Sequence, residues 1–299
     1  MPSFLVVGEG FPAYTVLRFL LEHPQATLVG YIAGTTASVK AQELARSHDV
    51  PCFPASILTG EEPFPKQLHA DWLVNINGVT LIADNVIGCF PRHSLNMHPA
   101  LLPAYAGLHC HQWAIRHDEK EHGITIHFMD AQIDSGDIIR QERLAILDGD
   151  TGLSLFMKTM QLGTDTLIEV LHKVLVGEAL SFQSQDRSRR RLFLHKHALN
   201  GRIDWSQPAR AIYNFVRAAN YEPLQSPTYQ PEWESPLGPA VIRACRIGPS
   251  VEGTMPGQIA NFVEGQGPLI ACAEGQSILA TKILLDGRIV APDSLKARG

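Results

Sequence analysis

No run of apolar residues in the 299-residue chain reaches the roughly 18 needed to cross a bilayer as a helix, so no membrane span is expected. Cysteine is scarce and poorly placed for cross-linking: Cys52, Cys89, Cys110, Cys245 and Cys272 are odd in number and form no C-x-x-C pair. That argues against a disulfide framework or a structural zinc site, and it suits a reducing, cytoplasmic setting. Positive charge is not in excess either. A net charge of −5 runs against a dedicated nucleic-acid binder, because such domains carry a basic surplus to neutralise phosphates. The opening MPSFLVVGEG has no basic flank ahead of its apolar residues, so a signal peptide is not expected. Internal repeats and low-complexity tracts are missing. What is present is ordinary core material, 45% hydrophobic and 18% charged, enough at this length for two domains with separate interiors.

Phe4 to Val7 is a short apolar run bounded by glycine, as in a buried parallel strand, and Val16, Leu17, Phe19 and Leu20 then recur at helical spacing. Thr27 to Ile32 reads as a strand, Val39 to Ser47 as a helix, Trp72 to Ile76 as a strand, Ala83 to Ile87 as a helix and Ser94 to Met97 as a strand. Such alternation implies an open α/β fold with a parallel sheet covered on both faces. After residue 120, Ile124, Ile126 and Phe128 alternate with polar neighbours in a half-buried strand. A turn-rich DAQIDSGD follows, then a strand from Ile138 to Leu147. Thr151 to Val176 reads as one long helix, capped by Asp150 or Thr151 and stopped by Gly177. The polar, basic stretch 181–202 reads as a linker between a catalytic domain (1–180) and a C-terminal domain (203–299). In the latter, a helix capped by Ser206 with Pro208 in its first turn precedes short glycine-separated strands, as in a small OB-like barrel.

Three segments could carry chemistry. GEGFPAY (Gly8 to Tyr14) sits between a strand and a helix, but it lacks the third glycine of a dinucleotide fingerprint and contains Pro12. It reads as a tight turn, and no nicotinamide dinucleotide site is assigned. NMHPALLPAYAG (Asn96 to Gly107) follows a parallel strand at the end where open sheets place ligands. Asn96 and His98 are two apart, so in an extended strand they point to one side about 7 Å apart, and Pro99 favours that extended geometry. An amide and an imidazole on one side can both donate to an oxygen that gains charge. The third segment, HGITIHFMDAQIDSGDII (His122 to Ile139), holds Asp130, Asp134 and Asp137 within eight residues. Turns attract aspartate for local hydrogen bonding, and the spacing alone does not say which of the three would reach His98.

These motifs resemble the folate-dependent formyltransferase superfamily. N-x-H-P-x-L-L-P-x-Y-x-G, then Gln112 to Ile115 (QWAI), then G-I-T-I-H-x-M-D-x-x-I-D-S-G-D-I-I occur in order, and the likeness covers most of residues 1–180. A weaker likeness to the C-terminal domain of methionyl-tRNA formyltransferases runs through GRIDWSQPARAIYNFVRAAN and the β-rich tail. The resemblance implies a Rossmann-like formyltransferase domain with Asn96, His98 and Asp134 as the catalytic triad. It implies N10-formyltetrahydrofolate as co-substrate and no metal. Thr80, Leu81 and Ile82, then Ala100, Leu101, Leu102 and Pro103, and the loop residues Asp130, Ala131, Gln132 and Ile133 match segments that line the pterin and formyl group. In this scheme Asn96 and a protonated His98 stabilise the oxygen of the tetrahedral intermediate, while Asp134 keeps His98 charged and relays a proton. Asp137 stays structural. The cluster His109, Cys110, His111 reads as loop or cleft lining and not as a zinc site.

The acceptor is read from departures. Methionyl-tRNA formyltransferases carry a long basic insertion after their second strand, whereas Gly30 to Ala45 of this chain contains a single lysine. Tyr105 to Leu108 reads Y-A-G-L where those enzymes and many sugar formyltransferases show Y-R-G, and it is closer to formyltransferase domains of nonribosomal peptide and small-amine pathways. The expected acceptor is therefore a small amine, an amino acid or a carrier-tethered aminoacyl group. The alternatives are methionyl-tRNA, supported by the arginines at 187, 189, 190 and 191, and hydrolysis of formyl-folate, which the superfamily couples to an extra regulatory domain.

Overall fold

A computed structural model of the chain describes residues 1–34, 38–90 and 93–296. It contains strands β1 (Ser3–Gly8), β2 (Thr27–Ala33), β3 (Cys52–Pro54), β4 (Trp72–Ile76), β5 (Ser94–His98), β6 (Ala106–Gly107), β7 (Glu121–Phe128), β8 (Ile138–Ala145) and β9 (Leu192–Phe193). Interleaved with them are helices α1 (Gly10–Glu22), α2 (Val39–Ser47), α3 (Asp84–Ile87), α4 (Cys110–Arg116) and α5 (Gly152–Leu175). The chain then continues through α6 (Ala209–Ala218), β10 (Glu232–Ser235), β11 (Gly238–Ile247), β12 (Ile259–Val263), β13 (Gly267–Ala271), β14 (Ser277–Leu285) and β15 (Arg288–Val290).

Two compact units result. The first comprises Met1–Gly107, His122–Leu144 and Met157–Leu192, and the second comprises Leu108–Glu121, Ala145–Phe156 and Phe193–Gly299. This differs from a division at residues 180 and 203, because most of the expected linker groups with the first unit. The backbone gives the reason: Ile138 and Gln183 exchange both hydrogen bonds, at 2.8 and 2.9 Å, so the chain after residue 181 returns to the start of β8.

In the first unit a seven-stranded sheet has the order β3-β2-β1-β4-β5-β7-β8, parallel from β3 to β5, with β7 antiparallel to β5. Both faces are covered, which is why β1 is apolar without alternation: Phe4, Leu5, Val6 and Val7 are at most 2% exposed. Leu5 and Val7 pack with Ile32, Leu58, Leu73 and Phe90. Helix α1 buries Ala13, Val16, Leu17 and Leu20. Helix α5 approaches β5 so closely that a Cβ at Gly163 would lie 2.5 Å from Met97 Sδ. The chain leaves β1 toward β2 and β3, then reverses to β4 and β5. The carboxyl ends of β1, β4 and β5 therefore flank the point where an open α/β sheet accepts ligands.

The second unit contains an antiparallel sheet, β10-β11-β14-β13-β12, with β15 also on β14. Among the described residues its outer strands β10 and β12 are not paired with each other. Ile212 and Val216 of α6 share a core with Trp233, Ile242, Ile270 and Ile283. The helix starts at Ala209 and not at Ser206, because Asp204 Oδ1 takes both the Ser206 amide (3.0 Å) and its hydroxyl (2.6 Å). The Ser206 oxygen is spent on that turn, and Gln276 Oε1 accepts the Ala209 amide instead. Helix α5 follows expectation more closely: Thr151 Oγ1 accepts the Ser154 amide, and Gly177 ends it with φ 77°.

The GEG turn is a close crossing of backbone. A Cβ at Gly8 would sit 2.2 Å from the Ile76 carbonyl oxygen and 3.2 Å from Ala13 Cβ, and Tyr31 donates its hydroxyl proton to the Gly8 carbonyl at 2.8 Å. Gly8→Ala should therefore lower unfolding stability by about 1–3 kcal/mol through overpacking against main chain. Urea denaturation measures this, and a variant as stable as wild type would show that the crossing yields freely.

Candidate active site

The register of the sheet assembles the site. Asn75 of β4 is opposite Asn96 of β5, and Asn96 is opposite His127 of β7, so three polar side chains from three strands share one face. His98, two residues further along β5, points to the same face, while Leu95 and Met97 turn to the other and are buried. Asn75 Nδ2 donates to Asn96 Oδ1 at 2.9 Å, which turns the Asn96 amino group toward His127 Nε2 (3.0 Å) and Asp134 Oδ1 (3.4 Å).

Asp134 enters from the loop after β7. Its Oδ2 accepts the Gly107 amide at 2.8 Å and lies 3.4 Å from His98 Nδ1, and its Oδ1 lies 3.7 Å from His127 Nε2. The other ring nitrogens both face carbonyls, which only accept. His98 Nε2 donates to Tyr105 O at 2.6 Å, and His127 Nδ1 donates to Phe128 O at 2.6 Å. A ring that is neutral therefore carries its proton on the far side and turns a bare nitrogen toward the carboxylate.

Burial pulls the His98 pKa below the usual imidazole value; Asp134 and the Tyr105 carbonyl oppose this, His127 adds to it, and the net direction is down. The 3.4 Å separation agrees, being longer than the 2.7–2.9 Å of a charge-assisted pair. The expectation that Asp134 holds His98 protonated is thus corrected: the resting ring is neutral because it is fully enclosed. Burial alone would raise Asp134, but its attraction to His98 whenever that ring is protonated, together with His127 and the Gly107 amide, outweighs burial and holds the carboxyl well below the usual carboxylate range.

Residues 65–171 match the formyl transferase family, and residues 197–296 match the formyl transferase C-terminal domain. Methionyl-tRNA formyltransferase from Streptococcus equi subsp. zooepidemicus is 32% identical over 239 residues, 75% of each chain. The chain belongs to the formyltransferase family. The corresponding enzyme from Akkermansia muciniphila is 28% identical over 297 residues, covering 94% of this chain and 91% of its own. Among solved structures, an N-formyltransferase from Helicobacter canadensis, in complex with folinic acid and dTDP-3-aminofucose, superposes with a TM-score of 0.70. It is 18% identical and covers 94% of this chain and 99% of its own.

Of the residues expected in this formyltransferase's site, Asn96, His98 and Asp134 come together. Of the other two carboxylates, Asp130 accepts the Gln132 amide and the Ser135 hydroxyl inside its loop, and Asp137 lends its main-chain carbonyl to the Phe128 amide. The segments expected to line the pterin divide by environment. Leu81 and Ile133 are exposed, Thr80 is half-buried, and Ile82 is in the core with Phe64 and Val86. Around Ala100 to Pro103 the backbone is held from behind. Thr125 Oγ1 donates to Ala100 O and accepts the Leu102 amide, and Gln141 donates to Leu102 O. His109 precedes α4 with φ 59°, its Nε2 lying 2.8 Å from His195 Nδ1, and Cys110 and His111 are buried within the helix. Sequence reasoning missed Asn75 and His127. The signal was an asparagine at the end of a predicted parallel strand and a histidine in alternation with Ile124 and Ile126, and neither shows its partner without the register.

A third histidine makes the region acid-sensitive. His122 is 2% exposed, its Nε2 has no partner among the described residues, and burial, opposed by the Pro99 main chain and assisted by His98, pulls its pKa down to about 4. The unfolded chain takes up this proton near pH 6.5, the folded chain near 4, so stability falls as pH drops through that window. In His122→Gln the slope of stability between pH 6.5 and 4 should be shallower by up to about 1.4 kcal/mol per pH unit. Denaturant titrations at pH 7, 6 and 5 decide it, and equal slopes in the two proteins would reject the assignment.

Proposed function

We propose that this formyltransferase moves the formyl group of N10-formyltetrahydrofolate onto the primary amine of a small or carrier-tethered acceptor. The observation that carries the reading is the buried cluster in which the Asp134 carboxylate lies 3.4 Å from His98 Nδ1 and 3.7 Å from His127 Nε2, with the Asn96 amino group alongside. Formyl transfer needs those parts. A neutral amine attacks the formyl carbon, a C–N bond forms, and the carbonyl electron pair moves onto oxygen. Asn96 Nδ2, oriented by Asn75, releases its long 3.4 Å contact to Asp134 and donates to that oxygen, a contribution commonly worth about 3 kcal/mol. The amine's surplus proton passes to the Asp134–His98 pair, directly or through one water, and from there to the folate nitrogen as its bond to carbon breaks. Exposed Leu81 and Ile133, with the backbone of Ala100 to Pro103, supply an apolar surface for the pterin.

Support for a small or tethered acceptor comes from the chain's own residues. The link between β2 and α2 contains no basic residue, and Tyr105 to Leu108 offers no arginine. The second reading, methionyl-tRNA, is favoured by the relatives of 28% and 32% identity. A panel of dTDP-amino sugars, amino acids, carrier-bound aminoacyl groups and methionyl-tRNA, assayed with formyl-folate by product mass, separates the two. Formate released without any amine would instead indicate a hydrolase. A tRNA acceptor held by several phosphate contacts should lose roughly 10³-fold in affinity between 50 and 200 mM salt, whereas a small amine should show a shallow dependence.

Asp134→Asn should lower kcat by about 10³-fold or more while formyl-folate binding changes little, because the amide accepts no proton. Adding His98→Ala should cost far less than the two single losses multiplied, since the groups act as one unit. Near-wild-type turnover by Asp134→Asn would remove the basis for the mechanism.

A further inference from the structure

The reaction leaves the basic segment after residue 181 without a task, yet its side chains run directly to the loop that carries Asp134. Gln185 Nε2 donates to two main-chain carbonyls, Asp134 O at 3.0 Å and Gly136 O at 2.7 Å. Arg190 donates to Ile133 O at 2.5 Å, and Arg187 lies 3.9 Å from Asp130 Oδ2. The loop needs such support. Asp134 has φ 51°, a left-handed conformation that a non-glycine residue keeps only when its surroundings over-determine it. The loop's own contacts, Asp130 Oδ1 with the Gln132 amide and the Ser135 hydroxyl, organise its front half but not the carbonyls of 133, 134 and 136.

The geometry points to Gln185 as a positioning residue for formyl transfer. With Arg190 beside it, its carboxamide straps the main chain of residues 133–136 and so keeps the Asp134 carboxylate on His98 and Asn96. This rests on the transfer reaction proposed above. The side chain suits the task. A primary amide has two N–H groups on one nitrogen, one for each carbonyl, and no charge to bury. Its orientation is determinate: turning the amide over would set Oε1 against two carbonyl oxygens. Gln185 keeps its donors there although Oε1 is buried without a partner among the described residues. It is half-buried between the exposed Ser184 and Asp186, so the segment turns this one side chain inward at that point.

Gln185→Ala, Gln185→Glu and wild type provide the test, with hydrogen exchange of the peptide spanning residues 130–137 as a readout that needs no acceptor. Gln185→Ala should exchange that loop at least about 10-fold faster with little change in melting temperature. With the acceptor found by the panel, its kcat should fall about 10²-fold while KM for formyl-folate stays within about threefold, since the loss is one of alignment. Gln185→Glu adds a signature that a general structural defect would not produce. An ionised carboxylate opposes both carbonyls, but its protonated form donates to one of them, so the variant-to-wild-type activity ratio should rise as pH falls from 8 to 6. The alanine ratio should stay flat. Unchanged loop exchange in Gln185→Ala, or a pH-independent ratio for Gln185→Glu, would overturn the strap. A wild type that formylates no amine would refute the transfer reaction, and the exchange measurement would still be read.

Discussion

Everything in the first unit that bears on chemistry depends on keeping one carboxylate ionised where little water reaches it. The Asp134 side chain is 12% exposed, and a charge so enclosed survives only if hydrogen-bond donors and nearby dipoles replace its hydration. The donors come from separate stretches of chain, Asn96 from β5 and the Gly107 amide, while His98 of β5 and His127 of β7 close the cluster around the carboxylate. No local motif could assemble them. The mixed sheet does, by fixing parallel β4 and β5 and antiparallel β7 in a register that sets Asn75, Asn96 and His127 in one row, while α5 locks the opposite face through Gly163 and Met97.

The same arrangement determines which way protons move. Tyr105 and Phe128 each offer a carbonyl that fixes a ring proton on the side away from Asp134. The nearer nitrogen of a neutral His98 then presents a lone pair to the carboxylate, an arrangement that is repulsive until a proton arrives. Burial keeps bulk acid from relieving it at neutral pH, because it disfavours a charged His98. In the reaction proposed above, an attacking amine that becomes cationic would meet a site already organised as its base, which a permanently charged His98 would not provide.

Much of this was legible in the sequence, and the rest was hidden for identifiable reasons. Strand β4 and helix α2 begin and end where hydrophobic periodicity puts them, because both are short elements with clean apolar faces. The pairing of Asn96 with His98 followed from period two and Pro99. The choice of Asp134 among three aspartates did not follow from spacing, since all three occupy one loop and only the left-handed turn at 134 aims its side chain at β5. Asn75 and His127 were invisible for a different reason. Their role exists only across strands, and register between strands distant in sequence leaves no local mark. The start of α6 was misread because Ser206 had a nearer partner in Asp204 than the helix it precedes.

The basic stretch at Arg187 to Arg191 shows how composition can mislead about partners. Four arginines in five residues suggest a grip on phosphate. Arg190, however, spends a donor on the Ile133 carbonyl, and Arg187 stands beside the Asp130 carboxylate, so two of the four already have partners within their own unit. An arginine bound to a carbonyl must give up that bond to reach an external phosphate, and the carbonyl is then left without its donor. In this chain that carbonyl belongs to the residue before Asp134. A polyanionic acceptor that recruited the stretch would therefore loosen the loop that carries Asp134 as it bound. An acceptor that left the arginines in place would keep the loop organised. The charge of Arg190 and, less closely, of Arg187 is thus directed inward, toward the loop that carries Asp134.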